Sequence, residues 1–201
     1  MKYEDFFGKL TYDEYIKLQS IEIGKEREQQ ENQNLAKMEL DTIKKILPDK
    51  ESFILDVGCA DGYMLDLLKK EGYKNIWGVE LLKEKADIAI SLGHNIVIEN
   101  IENVVSGSNF NGIICSHMLE HAKNPVLALE KMKNLLYDDG IILLVVPVEH
   151  TLTRGGKHLH YWDNLNQLIL DINESGLYVL SAYYKTGLQL EYWIICSRRF
   201  L

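Results

Sequence analysis

Beyond Ser52, short apolar runs alternate with stretches in which apolar residues recur three and four positions apart. The runs at 53–57, 75–80, 95–99, 112–116, 140–147, 178–184 and 192–196 predict strands, being short and rich in β-branched and aromatic residues. The stretches at 63–71, 83–92, 125–137 and 162–175 predict helices. Gly72, Gly93, Gly140 and Gly176 stand where those helices should stop, because glycine accepts the left-handed conformation that closes a last turn. A helix between consecutive strands implies right-handed crossovers and a parallel sheet. Only residues 185–190 join the last two strands, so these should form an antiparallel hairpin. The expected fold class is α/β: a seven-stranded, mostly parallel sheet with one antiparallel strand inserted and helices on both faces.

The N-terminal quarter follows a different pattern. Leu35, Met38, Leu40, Ile43 and Leu47 have helical spacing, which Pro48 ends. Residues 25–34 are almost wholly polar and read as a solvated helix face or connector. Tyr3, Phe6, Phe7, Tyr12 and Tyr15 either cap a site or pack on the core. The organisation expected is a helical extension or lid over 1–50 and one cofactor-binding domain over 51–201, a length that suits a single buried core.

Composition narrows the class of partner. A net charge of −8 argues against broad nucleic-acid or acidic-membrane binding. Cys59, Cys115 and Cys196 lack metal-ligand spacing and read as free thiols of a reducing compartment. The opening Met1-Lys2-Tyr3-Glu4-Asp5 has no apolar export region and no run reaches membrane-spanning length, so a cytoplasmic location is expected.

The densest chemistry lies in Asp56-Val57-Gly58-Cys59-Ala60-Asp61-Gly62-Tyr63, a strand, a glycine turn and a helix start. Such a turn presents backbone N–H groups and a positive dipole end to a ligand. The Asp56 carboxylate favours a cationic or donor-rich ligand over a pyrophosphate. A dinucleotide fingerprint laid from Gly58 needs glycines where Ala60 and Tyr63 stand, so a nicotinamide dehydrogenase is disfavoured. Glu80 ends the second strand, where a carboxylate accepts from both ribose hydroxyls of an adenosine or, alternatively, caps the next helix. Asn100 and Ile101 follow the third strand, where an amide and an apolar side chain bracket an adenine.

These segments together resemble the class I S-adenosylmethionine-dependent methyltransferases, particularly the small-molecule type 11 group. The likeness runs over about residues 50–200. It includes Gly78-Val79-Glu80, the segment from Phe110 through Ser116-His117-Met118-Leu119-Glu120-His121, and the helix–Gly–strand stretch from Leu135 to Pro147. It implies a Rossmann-like fold and S-adenosyl-L-methionine as cofactor. The cofactor-binding residues implied are Asp56, Gly58, Cys59, Ala60, Gly62, Tyr63, Glu80, Leu81, Asn100, Ile101, Ser116 and His117. Asp56 would meet the methionine amino group, Glu80 the ribose, and Asn100 with Ile101 the adenine. Ser116 and His117 would approach the methionine moiety through backbone atoms. Ala60 replaces a usual glycine, tolerable if its φ stays negative. Asn111 replaces a common acidic residue, at a position read as structural.

Methyl transfer from a sulfonium depends on positioning and, for a hydroxyl of high pKa, on a base. The candidate catalytic residues are His117, His158 and His121, with His150 and His160 in the same glycine-bearing loop, residues 149–161. His121 also has a structural reading, fixing the loop after the fourth strand. At most one of His158 and His160 should face a pocket, since they alternate around Leu159. His117, Glu120 and His121, with His158 or His160, would also suit a metal and resemble the pattern of some RNA 3′-end methyltransferases. Leu-Glu-His is common in metal-free relatives, however, and no metal is expected. The expected function is methyl transfer to an O or N atom of a small metabolite or sugar-like acceptor. The alternatives are a non-catalytic cofactor-binding module or a metal-assisted RNA methyltransferase. The partners expected are that small-molecule acceptor and, as an allowed assembly, a second copy of the chain, with no membrane.

Overall fold

A computed structural model describes residues 11–19, 30–105, 107, 109–148, 158–186 and 190–200. Its strands are β1 (Phe53–Val57), β2 (Asn75–Glu80), β3 (Asn95–Ile98), β4 (Phe110–Ser116), β5 (Leu136–Pro147), β6 (Tyr178–Thr186) and β7 (Leu190–Ser197). They form one sheet of order β3-β2-β1-β4-β5-β7-β6. The first five pair in parallel, and β7 lies antiparallel between β5 and β6, with Ile194 opposite both Leu144 and Ala182. This is the inserted antiparallel strand expected from the short 185–190 connection.

Alternation along β4 sends its side chains to two cores. Ile113 and Cys115 join one with Leu129 and Met132 of α5 (Pro125–Asn134) and Leu168 and Ile172 of α6 (Leu165–Glu174). Ile114 joins the other with Leu35, Leu40 and Ile43 of α2 (Gln30–Ile46) and Leu65 and Leu68 of α3 (Tyr63–Lys70). Burying Leu35, Leu40 and Ile43 contributes roughly 5–9 kcal/mol before entropy is counted. That holds a helix whose first five residues, Gln30–Asn34, have no apolar face of their own. Helices α1 (Tyr12–Gln19) and α4 (Lys83–Ser91) complete the α-helices among the described residues. No described helix is long and apolar enough to cross a membrane.

Several boundaries differ from the expectation for identifiable reasons. The helix expected over 125–137 ends at Asn134, and β5 begins at Leu136. The β4–β5 register runs from Phe110↔Leu136 to Gly112↔Ile141, so the intervening β5 residues bulge out of the ladder. Gly140 therefore serves close approach rather than helix termination: a Cβ there would stand 2.8 Å from the Phe110 carbonyl oxygen. Gly72, Gly93 and Gly176 do take left-handed φ values of 92°, 83° and 78° after their helices. The helix expected from 162 starts at Leu165, because Asn164 Oδ1 caps it by accepting from Gln167 N at 3.1 Å. Trp162 stays outside as a buried anchor, its indole donating to Asp171 Oδ2 at 2.7 Å. Tyr3, Phe6, Phe7, the polar residues 25–29, and His150 with Gly155 and Gly156 lie outside the described residues.

Topology then positions the site. From β1 the chain winds outward through β2 and β3, then returns to the other side of β1 for β4 and β5. Connections leaving β1 and β4 diverge, which opens a crevice at the carboxyl ends of these strands. Asp56, Glu80, Asn100 and Ser116 all stand at or just past those ends.

Candidate active site

A cavity of about 740 Å³ occupies that crevice. Every expected cofactor-binding position except Gly62 lines it, as do His117, His121 and His158. Gly62 instead ends the turn at the α3 N-cap, with φ 82°.

The turn after β1 is drawn under β2: Gly58 N and Cys59 N both donate to Val79 O, at 2.8 and 3.1 Å. Gly58 has φ 79°, and a Cβ there would come within 2.7 Å of Met118 Cγ. The residue is glycine because both its conformation and its neighbour demand it. Ala60 corrects the sequence expectation: its φ is +47°, not negative. Ala60 N donates to Glu80 Oε2 at 2.9 Å, which anchors the peptide plane that precedes this turn. The strain of a left-handed alanine, about 1–2 kcal/mol, is offset by this bond to a carboxylate.

Glu80 is thus a structural brace as well as a candidate ligand. Its other oxygen accepts from Leu82 N, the α4 N-cap residue, at 2.8 Å. Asn100 Oδ1 accepts from Glu102 N at 3.0 Å and caps a single 3₁₀ turn, Ile101–Asn103, that buries Ile101. Asn100 also hydrogen bonds the Tyr12 hydroxyl, whose pKa burial and the nearby Glu102 and Asp13 carboxylates push up to about 12. Cys59 and Asp56 are buried beneath the turn. Burial, then the charges of Glu39 and Glu80, push the Asp56 carboxyl well above its usual range. Asn111 is structural as expected, its Oδ1 accepting from Phe53 N at 2.9 Å.

Past β4, His117 has φ +47° and its ring lies between two carboxylates. Nδ1 stands 3.6 Å from Glu120 Oε1 and Nε2 3.4 Å from Glu191 Oε1, both ion-pair contacts longer than a good hydrogen bond. Burial works against a charge on this ring, yet the Glu191, Glu120 and Glu39 carboxylates outweigh it and raise the pKa. His121 behaves oppositely. Burial, with His158 and His117 nearby, lowers its pKa to about 3, so the ring is neutral. Its Nδ1 lies 2.6 Å from the Tyr15 hydroxyl, and its ring meets His158 edge-on at 4.8 Å between centroids. Of the two alternating histidines, His158 lines the cavity and His160 does not. The Glu120 carbonyl accepts from both Leu159 N and His160 N, at 2.9 and 3.0 Å, and so docks this segment beside the 3₁₀ turn Leu119–His121.

Two carboxylates escaped the sequence reading. Glu39, on α2, is 3% exposed and accepts from the Ser116 hydroxyl. Burial pushes its pKa up to about 7, against the Ser116 bond and His117, which lower it. Its one legible signal was position, since it falls four residues after Leu35 and four before Ile43 on the apolar stripe. Glu191, fully buried on β7, also accepts from Trp193 Nε1 at 3.3 Å. No spacing rule connects it to His117.

The family described as "Methyltransferase domain" matches residues 27–181. Among curated proteins, the ubiquinone biosynthesis O-methyltransferase of Actinobacillus pleuropneumoniae is 28% identical, over 55% of this chain and 57% of that protein. The tRNA U34 carboxymethyltransferase of Helicobacter pylori is 31% identical, over 52% of this chain and 44% of its own length. The chain thus spans about half the length of the curated relatives it matches. A solved magnesium protoporphyrin IX methyltransferase from Synechocystis PCC 6803, crystallised with bound S-adenosylmethionine, superposes with a TM-score of 0.70. It is 11% identical, covering 96% of this chain and 99% of that one, a likeness of fold. With the family matched across most of its length and a glycine turn, carboxylate and amide at three adjacent strand ends, this chain belongs to the class I S-adenosylmethionine-dependent methyltransferases.

Proposed function

We propose that this chain transfers the methyl group of S-adenosylmethionine to a hydroxyl oxygen of a small-molecule acceptor. The observation carrying this reading is the shared cavity: Asp56, Glu80 and Asn100 line one part of it, His117, His121 and His158 another. The residues present suit the cofactor. The volume of about 740 Å³ lies within the range of small-molecule sites. Asp56, crowded by Glu39 and Glu80, gains from a cationic ligand such as the methionine ammonium. Glu80, which accepts from Ala60 N and Leu82 N, lines the cavity at the end of β2, where ribose hydroxyls can donate to its carboxylate. Ile101 and Asn100 suit the adenine face and edge. When bound, the cofactor supplies an electrophilic methyl group on a cationic sulfur.

The chain's own contribution is positioning, exclusion of water and the fate of one proton. His117 takes the acceptor's hydroxyl proton, and Glu191 and Glu120 on its two sides stabilise the resulting imidazolium. Helix α1 acts as a lid over this end, held by Tyr12 and Tyr15 against His121. An oxygen acceptor is favoured by the likeness to a ubiquinone biosynthesis O-methyltransferase. A small one is favoured over tRNA by the net charge of −8, which opposes a polyanion.

The test is formation of S-adenosylhomocysteine by the purified chain with a panel of phenolic, catecholic and sugar hydroxyl compounds, with amines and bulk tRNA alongside. Turnover with a hydroxyl compound is expected. Turnover confined to the amines or tRNA overturns the acceptor class, and failure to bind S-adenosylmethionine in calorimetry overturns the reading altogether.

A further inference from the structure

The loop and the 3₁₀ turn beyond β4 bring together a donor set that methyl transfer by positioning alone does not require. One ligand atom each from Glu120, His121 and His158 lie within 4.8 Å of one another. Glu120 is 1% exposed and closes the set from behind, while His121 and His158 line the cavity. The geometry points to a divalent-cation site of the zinc class on the acceptor side of this cavity, formed by Glu120, His121 and His158. Its open coordination position faces the cavity and takes an oxygen of the acceptor.

Two imidazoles and one carboxylate form a donor set for zinc and its borderline neighbours, and three protein ligands are what a catalytic site with an open position provides. In a tetrahedral site with bonds of about 2.1 Å, ligand atoms stand about 3.4 Å apart, so small side-chain rotations close the present spacing. The backbone already holds the pieces in place. Through its carbonyl, Glu120 fixes Leu159 and His160, which keeps His158 beside its own side chain. The Tyr15 hydroxyl on His121 Nδ1 is the outer-sphere partner that orients a ligating ring: with the proton on Nδ1, Nε2 carries the lone pair. The sequence expectation of no metal rested on Leu-Glu-His alone. It is the position of His158 that argues against it.

The metal's chemical role rests on the proposed O-methylation: a hydroxyl drawn to the open position would be held and acidified there. The existence of the site does not rest on it. The experiment is titration of the full, metal-stripped chain with Co²⁺, followed by visible absorption, and displacement by Zn²⁺. One equivalent with d–d bands is expected. His158→Asn, in the loop, and His121→Asn should each weaken uptake by more than about 100-fold, beyond the ~10–100-fold effect of losing an outer-sphere partner. His160→Asn, two positions away and outside the cavity wall, should leave uptake unchanged. No stoichiometric uptake by the parent chain, or uptake by His158→Asn and His121→Asn as tight as the parent's, overturns the inference. Calorimetry with S-adenosylmethionine on the same samples separates the two readings. Cofactor binding without metal uptake removes only the metal site, and metal uptake without cofactor binding removes only the methyltransferase activity.

Discussion

Replacing Glu39 by Gln should convert a pH-dependent stability into a flatter one. Glu39 is buried where α2 crosses the end of β4, and its pKa stands at about 7 against an ordinary 4.5. Burial is the leading cause; Glu191 adds to it, and Ser116, His117 and Lys185 oppose it. The sign follows from linkage. A folded-state pKa above the unfolded one means the folded chain holds the proton more tightly. The resulting stability is fully present below about pH 4.5 and is lost as pH rises through about 7. At ~1.4 kcal/mol per pH unit, the span corresponds to about 3 kcal/mol. Glutamine keeps the shape and the acceptor for the Ser116 hydroxyl but never ionises. Removing the charge also relieves Asp56, which Glu39 raises, so the neighbour shifts the result in the same direction. Urea unfolding of both chains from pH 5 to 8.5 isolates Glu39 and the groups coupled to it, because titrating groups far from Glu39 cancel in the difference. Stability of the variant minus that of the parent should grow by about 2.5 kcal/mol across this range, the rest of the span lying below pH 5. A difference that stays flat within about 0.5 kcal/mol would refute the placement of an ionisable, desolvated Glu39 at this site.

The remaining predictions concern the turn and the lid. Glu80→Ala should weaken S-adenosylmethionine binding by about 1–3 kcal/mol in calorimetry and lower the urea midpoint, since Ala60 N and Leu82 N lose their acceptor; unchanged affinity would make Glu80 a brace alone. Gly58→Ala should cost about 1–3 kcal/mol of thermal stability through its left-handed φ and the contact with Met118, and an unchanged Tm would contradict the turn geometry. Ala60→Gly should stabilise by up to about 1 kcal/mol by releasing strain at φ 47°, whereas destabilisation would mean the left-handed turn is not adopted. Tyr15→Phe should lower turnover more than cofactor affinity, because its hydroxyl lies 2.6 Å from Nδ1 of His121 at the acceptor side of the cavity; an equal loss of both would contradict this.

What the sequence made legible and what it hid follow one physical division. Asp56, Glu80 and Asn100 were readable because each sits where a strand ends, and the periodicity that predicts the strand also locates its end. Their convergence on one cavity follows from backbone topology, which brings consecutive strand ends to one crevice regardless of side-chain detail. The φ of Ala60 was not readable, because the turn it belongs to is held to β2 by contacts from twenty residues downstream, Ala60 N donating to Glu80 and Gly58 N to Val79. Gly140 was misassigned for a similar reason. It looks like a helix stop in sequence, but its meaning comes from the Phe110 carbonyl on another strand. Glu39, Glu191 and His117 share a charge environment assembled from α2, β7 and the end of β4. No local pattern specifies that assembly. A charged residue on an apolar helical stripe is nevertheless a readable anomaly, since burying an ionisable group costs stability unless something compensates. At Glu39 the compensation is a serine hydroxyl, the nearby His117 and Lys185, and a raised pKa. The fold thus carries a carboxyl whose protonation opposes its own burial cost, at the cavity end where burial also raises the Asp56 carboxyl. A cation bound there would stabilise the ionised forms of both, so under the proposed function the crowding of Glu39 and Asp56 favours the cofactor's ammonium group.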